Sequence, residues 1–152
     1  MERLITASIV LYNTDQIEIK KTLESVFNTF QNIELYLIDN SDNDVLKSLK
    51  SFDSRIKYIH NPTNPGFGTA HNIAIKEAAL AKSKYHFIVN PDIYFEGDVI
   101  TPMVEYMAND ATIGMMMPQI LNLDGTVQNL PKLLPSPFSI LWRKIKKPAR
   151  AY

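Results

Sequence analysis

The sequence contains no cysteine among its 152 residues. This absence excludes a disulfide scaffold and thiolate metal sites, and it fits a protein of a reducing compartment. The sequence also lacks an apolar run long enough to cross a bilayer, and it shows no signal peptide, since residues 1–4 run directly into a strand-like segment. We therefore expect a cytoplasmic protein, and the length predicts one compact domain.

Acidic residues are missing from the end of the chain. Residues 143–150 hold five basic residues, which leaves the preceding part with 11 basic against 16 acidic residues. A body with a net charge of −5 argues against a nucleic-acid partner. Within residues 138–150, apolar side chains that include Trp142 accompany the cations. This pattern is typical of peripheral contact with an anionic membrane, here the inner face, and it equally fits a helix packed on another region.

Apolar runs bounded by turn residues alternate with segments of helical period. This alternation predicts an α/β fold with an open, mostly parallel sheet and flanking helices, similar in plan to Rossmann folds. The predicted strands lie at about 4–12, 33–38, 56–59, 85–89 and 113–117, and the predicted helices at about 19–30, 42–52, 69–81 and 98–107, the last one capped by Asp98.

The region after the last predicted strand contains a turn signal and then several prolines. Asp124 and Gly125 stand between apolar flanks, which predicts a hairpin turn at 122–127. Prolines at positions 131, 135 and 137 argue against regular structure beyond Leu130. The sequence therefore predicts a domain at 1–130, followed by a tail at 131–152 that is first Pro-rich and then basic and aromatic.

Polar residues follow each of the first four predicted strands. In an open parallel sheet, ligands gather at the carboxyl ends of the strands. We interpret Tyr12 as a group that stacks on a base and Asp39 as an acceptor for a base or ribose donor, and we expect both to lie outside the core. Each such position also fits a plain solvent-facing strand end. Asn13 and Asn40 are the amides beside these two residues.

The fourth strand stops abruptly at Asn90, Pro91 and Asp92. Proline has no N–H for a sheet ladder, so pairing should end there and leave Asp92 on a turn that faces a ligand or metal. A hard divalent cation that bridges phosphates, Mg²⁺ or Mn²⁺, suits this carboxylate. The alternative is an ordinary strand-ending turn, since all three residues are turn formers.

The segment from Asn64 to Asn72 places two glycines where a helix begins. Gly66 and Gly68 allow the backbone to approach a ligand closely, and Phe67 between them is expected to pack on something. The segment is not a P-loop, because the Gly-Lys-Ser/Thr ending is missing. It also lacks the third glycine of the dinucleotide fingerprint, which disfavours a Rossmann-type redox enzyme.

Five segments together resemble the family 2 glycosyltransferases of GT-A fold, above all the rhamnosyltransferase-like enzymes of bacterial polysaccharide assembly. The resemblance implies a nucleotide-diphospho-sugar donor (a UDP- or dTDP-sugar), a Mg²⁺ or Mn²⁺ ion, and inverting transfer of the sugar to a glycan or lipid-linked acceptor. The segments are 8–13, 38–41, 64–72, 89–92 and 124–128.

The resemblance also implies roles for single residues. Tyr12 and Asp39 would contact the nucleobase, and the segment 64–72 would form a wall of the donor site. Asp92 would hold the metal at the position of the family's Asp-x-Asp motif, where Asn90 replaces the first aspartate.

One departure from the family concerns the catalytic base. Family members continue into an acceptor-binding half with an acidic pair, and an inverting displacement needs a base within reach of the attacking hydroxyl. No Asp or Glu follows Asp124 in this sequence. We therefore expect no base for the acceptor within this chain. The alternative function is a catalytically incomplete module that binds a nucleotide sugar.

Overall fold

The computed structural model describes residues 4–122 and 124–128 and divides the chain into two compact units, 1–114 and 115–152. The first unit contains a four-stranded parallel sheet with flanking helices, so the predicted α/β class is confirmed. The strands are β1 (Ile5–Leu11), β2 (Ile33–Asp39), β3 (Ile56–His60) and β4 (Tyr85–Val89); the helices are α1 (Gln16–Phe27), a 3₁₀ helix (Val45–Ser51), α2 (Phe67–Leu80) and α3 (Ile100–Asn109).

The central strand β1 is buried along its whole length because both faces of the sheet are covered. Alternate side chains point to opposite faces of a strand, so Ile5, Ile9 and Leu11 enter one core with Leu23 of α1. The other face carries Val10, which packs in a smaller cluster with the short side chains of α2. A near-continuous apolar strand is therefore what this position in the sheet requires.

The strand order is β3-β2-β1-β4, so the chain builds the sheet in one direction and then returns to the other side of β1. All pairs are parallel, with Leu11 opposite Asp39 and Ile9 opposite Val89. The carboxyl ends of β1, β2 and β4 thus lie along one edge. A crevice is expected outside the sheet where the strand order reverses, which here is between β1 and β4.

Asp98 stabilises the start of α3 as predicted, but from one residue farther upstream than the N-cap. The helix begins at Ile100, and Asp98 accepts hydrogen bonds from the Thr101 N–H (3.0 Å) and from the Phe30 N–H (3.0 Å). Partial burial works to raise the pKa of Asp98, but these bonds and that of the Thr101 hydroxyl outweigh it and lower the pKa to about 2. Phe30 itself is exposed, because α1 ends at Phe27 rather than at the predicted residue 30.

The predicted strand at 113–117 is wrong. The residues form no ladder within the described part of the chain, and Met115 and Met117 are exposed, so apolar composition alone did not produce a strand.

In the second unit, the predicted hairpin turn is confirmed: Leu121 and Val127 pair antiparallel, and Gly125 takes a positive φ of 80° in the turn. The tail at 131–152, with the segment 138–150, lies outside the described residues. No helix among the described residues is long and apolar enough to cross a membrane.

A chain of side-chain hydrogen bonds lies on the α2 face of the sheet. Ser8 Oγ lies 2.8 Å from both His71 Nδ1 and His86 Nε2, and Thr6 Oγ1 lies 2.8 Å from His86 Nδ1. Burial lowers the pKa of both histidines, that of His86 to about 4, so both rings are neutral near pH 7. These hydrogen bonds therefore link α2 to β1 and β4, the two strands between which the strand order reverses.

Candidate functional site

A cleft of about 720 Å³ opens at the carboxyl ends of the strands in the first unit. Its walls come from the residues after β1, β2 and β4, from the first turn of α1 and from the start of α2, which is the position that the reversal of strand order predicts. The lining residues are Val10, Tyr12, Asn13, Thr14, Asp15, Glu18, Asn40, Asn64, Phe67, Asn90, Pro91 and Asp92.

The residues after β1 expose an aromatic ring to the cleft. Tyr12 is 55% exposed although it directly follows the buried Leu11. Asn13 has a φ of 49°, and its N–H donates to Ser41 Oγ at 2.9 Å. Asparagine tolerates this left-handed conformation better than most residues, and the bond to Ser41 fixes the turn against the neighbouring strand end. Tyr12 and Asn13 therefore both line the cleft.

Asp39 lies in the core, so the expectation that it stands outside the core is wrong. It is the last residue of β2 rather than the first residue after it, and it is fully buried. Its carboxylate accepts from the Ser41 N–H at 3.0 Å and from the Tyr58 hydroxyl at 2.6 Å. Burial of Tyr58, together with the hydrogen bond that its hydroxyl donates to Asp39, raises the pKa of the Tyr58 phenol well above its usual value. Asn40, the next residue, lines the cleft in its place, and its Oδ1 accepts from Asn61 Nδ2 at 3.1 Å.

Asp39→Ala is expected to lower the free energy of unfolding by about 2–4 kcal/mol, because it leaves the Tyr58 hydroxyl and the Ser41 N–H without their buried acceptor. Tyr12→Ala is the matched control, since Tyr12 is exposed and should change stability by about 0.5 kcal/mol or less. Urea denaturation of both variants tests the contrast. Equal stability of Asp39→Ala and the wild type would mean that the Asp39–Tyr58 bond contributes nothing to the fold.

The segment from Asn64 to Asn72 contributes two of its five predicted residues to the cleft. Asn64 and Phe67 line it, and Phe67 is 52% exposed, with its ring in a T-shaped contact with the ring of His71. The segment turns into α2 through Gly66, which has a φ of 90°. The remaining predicted residues, Gly68 and Asn72, lie within α2 and do not line the cleft, and neither does Gly66.

The two glycines of this segment are expected to respond to alanine with opposite signs. Gly66→Ala should destabilise the protein by about 1–2 kcal/mol, because its φ of 90° is strained for a residue with a Cβ. A Cβ at Gly68 meets nothing within 4 Å, so Gly68→Ala should stabilise α2 by up to about 1 kcal/mol and should not disturb ligand binding. Thermal denaturation of the pair is the measurement, and destabilisation by both would contradict the assignment.

The residues after β4 also line the cleft. Pairing with β1 ends at Val89, as the proline predicted, and Asn90, Pro91 and Asp92 all line the cleft. Asp92 is exposed on a turn in which the Ile93 N–H donates to the Asn90 carbonyl at 3.3 Å.

Two acidic residues of the cleft were missed by the sequence interpretation. Asp15 caps α1, since its Oδ1 accepts from the Ile17 and Glu18 N–H groups at 2.7 and 3.1 Å, and the side chain of Glu18 lines the cleft. The available signal was their position directly after the Tyr12 turn, because a helix that follows β1 begins at the same edge of the sheet.

The cleft has three carboxylates, Asp15, Glu18 and Asp92, and no lysine or arginine among its lining residues. An anionic ligand therefore meets a net repulsion there unless cations accompany it. In residues 4–122 and 124–128, no three His, Cys, Asp or Glu side chains are grouped closely enough to hold a metal ion. A cation at Asp92 would thus need further oxygen ligands from a bound molecule, as Mg²⁺ commonly takes from phosphates.

The sequence is similar to known glycosyltransferases. An uncharacterized glycosyltransferase of Methanocaldococcus jannaschii is 25% identical over 150 residues, which are 95% of this chain and 50% of that relative. Glycosyltransferase GlyG of Streptococcus pneumoniae is 26% identical over 121 residues, which are 75% of this chain and 39% of GlyG. The chain thus spans about half or less of the length of these relatives.

The fold is similar to that of a solved protein, S. aureus TarS. Its residues 1–349 superpose with a TM-score of 0.60 at 17% identity, over 76% of this chain and 38% of that 1–349 chain. The same protein in complex with UDP gives a TM-score of 0.58. At this identity the likeness shows the fold alone, which is the GT-A fold. The family model described as glycosyl transferase family 2 matches residues 6–151, and the chain therefore belongs to glycosyl transferase family 2.

Proposed function

We propose that the cleft binds a nucleoside-diphospho-sugar together with Mg²⁺ or Mn²⁺ and serves the transfer of the sugar. The observation that carries this proposal is the distribution of groups across the cleft. An exposed aromatic ring, Tyr12, lies after β1, and a carboxylate, Asp92, lies after β4, at the reversal of strand order where such ligands bind. The solved relative in complex with UDP supports a nucleotide as the ligand.

The lining residues suit the two ends of such a donor. Tyr12 offers a flat ring on which a base stacks, and the amides of Asn13, Asn40 and Asn64 offer donors and acceptors for the base and the ribose. Asp39 contributes indirectly, because it holds the backbone after β2 through the Ser41 N–H.

The donor set fits a hard divalent cation, since carboxylate and amide oxygens line the cleft and no thiol or imidazole does. Asp92 would hold the cation, with Asn90 beside it and phosphate oxygens completing the coordination. When bound, such an ion neutralises charge on the diphosphate leaving group. The chain's own part is to keep the Asp92 carboxylate at the cleft, where it can share the cation with the phosphates.

We further propose that the sugar is a hexose or a deoxyhexose such as rhamnose, transferred with inversion to a glycan or a lipid-linked acceptor in polysaccharide biosynthesis. The basic and aromatic segment 138–150 supports an acceptor at the inner face of the cytoplasmic membrane. The second candidate is that these 152 residues bind a nucleotide sugar without turnover, since they contain no acid after Asp124. Product formation separates the two.

Isothermal calorimetry with UDP and dTDP, each with Mn²⁺ or with EDTA, tests the proposal. We expect binding that depends on the metal, because the cleft carries three carboxylates and no basic residue. Inorganic diphosphate with Mn²⁺ is the control for nonspecific ion pairing and should bind more weakly than UDP. Equal affinity of UDP in Mn²⁺ and in EDTA would overturn the metal, and no binding of either nucleotide would overturn the proposed site.

A further inference from the structure

Helix α1 carries a hydroxyl on its buried face. Thr22 is 1% exposed and lies among Ile19, Leu23 and Val26, which form the apolar face of the helix. Valine has nearly the same shape and would fill this position without a polar group. The hydroxyl has a specific partner outside the helix, because Thr22 Oγ1 donates to the Pro91 carbonyl at 2.7 Å.

The Pro91 carbonyl belongs to a segment with little other support. The ladder between β1 and β4 ends at Val89, and proline has no N–H to donate. Among the described residues, the turn bond from the Ile93 N–H to the Asn90 carbonyl is internal to the segment and longer, at 3.3 Å. Among the hydrogen bonds of the described residues, the bond from Thr22 is therefore the one that links residues 90–92 to another element, directly before Asp92, between the core contacts of Val89 and Phe95.

The same helix reaches the other acids of the cleft. Glu18 precedes Thr22 by four residues, so the two lie on the same face of α1, one turn apart. Glu18 lines the cleft, and the N-terminus of α1 is fixed by the Asp15 cap. Helix α1 thus contributes Glu18 to the cleft and, through the Thr22 hydroxyl, contacts the segment that bears Asp92.

We infer that Thr22 is a positioning residue for cation and diphosphate binding, which acts through the Pro91 carbonyl and sets where the Asp92 carboxylate stands. The inference rests on the proposed binding of a nucleoside diphosphate in this cleft. An Asp92 carboxylate that is displaced loses its shared contact with the cation, whereas the ring of Tyr12 follows β1, which the bond from Thr22 does not contact, and stays in place. Thr22 therefore supports the phosphate end of the site and not the base end.

The test compares Thr22→Val with Thr22→Ser. Valine keeps the shape and removes the hydroxyl, and serine keeps the hydroxyl. Affinity for UDP with Mn²⁺ is measured by calorimetry, and affinity for uridine, which has no phosphate, by NMR titration. We expect Thr22→Val to bind UDP with Mn²⁺ about three- to tenfold more weakly, with uridine binding unchanged. Thr22→Ser should stay within about twofold of the wild type for both ligands. Thr22→Ala, which adds no bulk, replaces the valine variant if that variant does not fold.

Each outcome decides the inference. Wild-type affinity of Thr22→Val for UDP with Mn²⁺ would overturn it, and so would an equal loss of uridine affinity, since a general disturbance of the fold acts on both ends of the site. Failure of Thr22→Ser to restore binding would also overturn it. If the wild type itself binds no UDP, the proposed function fails and this inference fails with it, whereas metal-dependent binding of equal affinity by the wild type and the valine variant defeats the inference alone.

Discussion

Replacement of Asp92 by alanine is expected to weaken binding of UDP in the presence of Mn²⁺ by about ten- to a hundredfold. Contacts to charged groups contribute about 1.5–3 kcal/mol, and each 1.4 kcal/mol corresponds to a factor of about ten in affinity. Asp92 is exposed on a turn beyond the end of β4, so its removal should leave the fold intact. Calorimetry of the variant and the wild type at equal ionic strength is the measurement.

The sign of the effect should reverse when the metal is removed. In EDTA, the wild-type cleft presents three carboxylates to the diphosphate, and Asp92→Ala presents two. The variant should therefore bind UDP at least as well as the wild type in EDTA, because one source of repulsion is gone. Loss of affinity in both conditions would mean that Asp92 acts by some means other than a cation.

A matched control separates these effects from a general change of charge. Glu105 is exposed on α3 and does not line the cleft, so Glu105→Ala changes the net charge by the same amount. It should leave the affinity for UDP unchanged in Mn²⁺ and in EDTA. A parallel shift in Glu105→Ala would show that long-range charge, and not the place of Asp92, sets the affinity.

The fold was predictable because its signals are strong and local. The apolar runs at β1, β2 and β4 have few alternatives to burial in a parallel sheet, and the predicted bounds agree with the structure within about two residues. The strand at 113–117 failed because an apolar run forms a strand only when another strand pairs with it, and the sequence contains no information about pairing. The order β3-β2-β1-β4 could not be predicted for the same reason, since it depends on which strands pair with each other.

The site was predictable where a residue lies on a turn after a strand. Tyr12 and Asp92 come after the last paired residues of β1 and β4 and reach the cleft, as predicted. Asp39 did not, because β2 continues one residue farther than expected and a strand residue points either to the core or away from it. Gly68 and Asn72 lie within α2, which begins at Phe67, and they are not among the residues that line the cleft.

Other features of the site needed the third dimension. The bond from Thr22 to Pro91 joins residues that are 69 positions apart in the sequence. The carboxylate of Asp39 likewise accepts a hydrogen bond from Tyr58, which belongs to another strand. A helix pattern shows that Thr22 faces inward and a strand pattern shows that Tyr58 lies in β3, but neither pattern shows what the hydroxyl meets.

The 152-residue chain by itself is expected to bind the donor and to transfer no sugar at an appreciable rate. General-base catalysis contributes about a hundred- to ten-thousandfold, and no Asp or Glu follows Asp124. Two of the acids before it are engaged in the fold. Asp39 is buried and engaged by Tyr58, and Asp98 accepts three hydrogen bonds with its pKa lowered to about 2, which makes it a weak base.

The assay should supply a radiolabelled UDP- or dTDP-sugar with Mn²⁺ and two kinds of acceptor, soluble sugars and vesicles that carry a lipid-linked glycan, since the segment 138–150 is basic and aromatic. We expect slow release of free sugar by water at most, because the proposed cation at Asp92 would act on the leaving group and would need no acceptor. Asp92→Ala should abolish even this release. Robust transfer by the chain alone would contradict the prediction and would point to Glu18, the acid of the cleft that neither caps a helix nor is proposed to hold the cation. Glu18→Gln, which keeps the size of the side chain and removes its basicity, would then lower transfer while leaving donor affinity nearly unchanged.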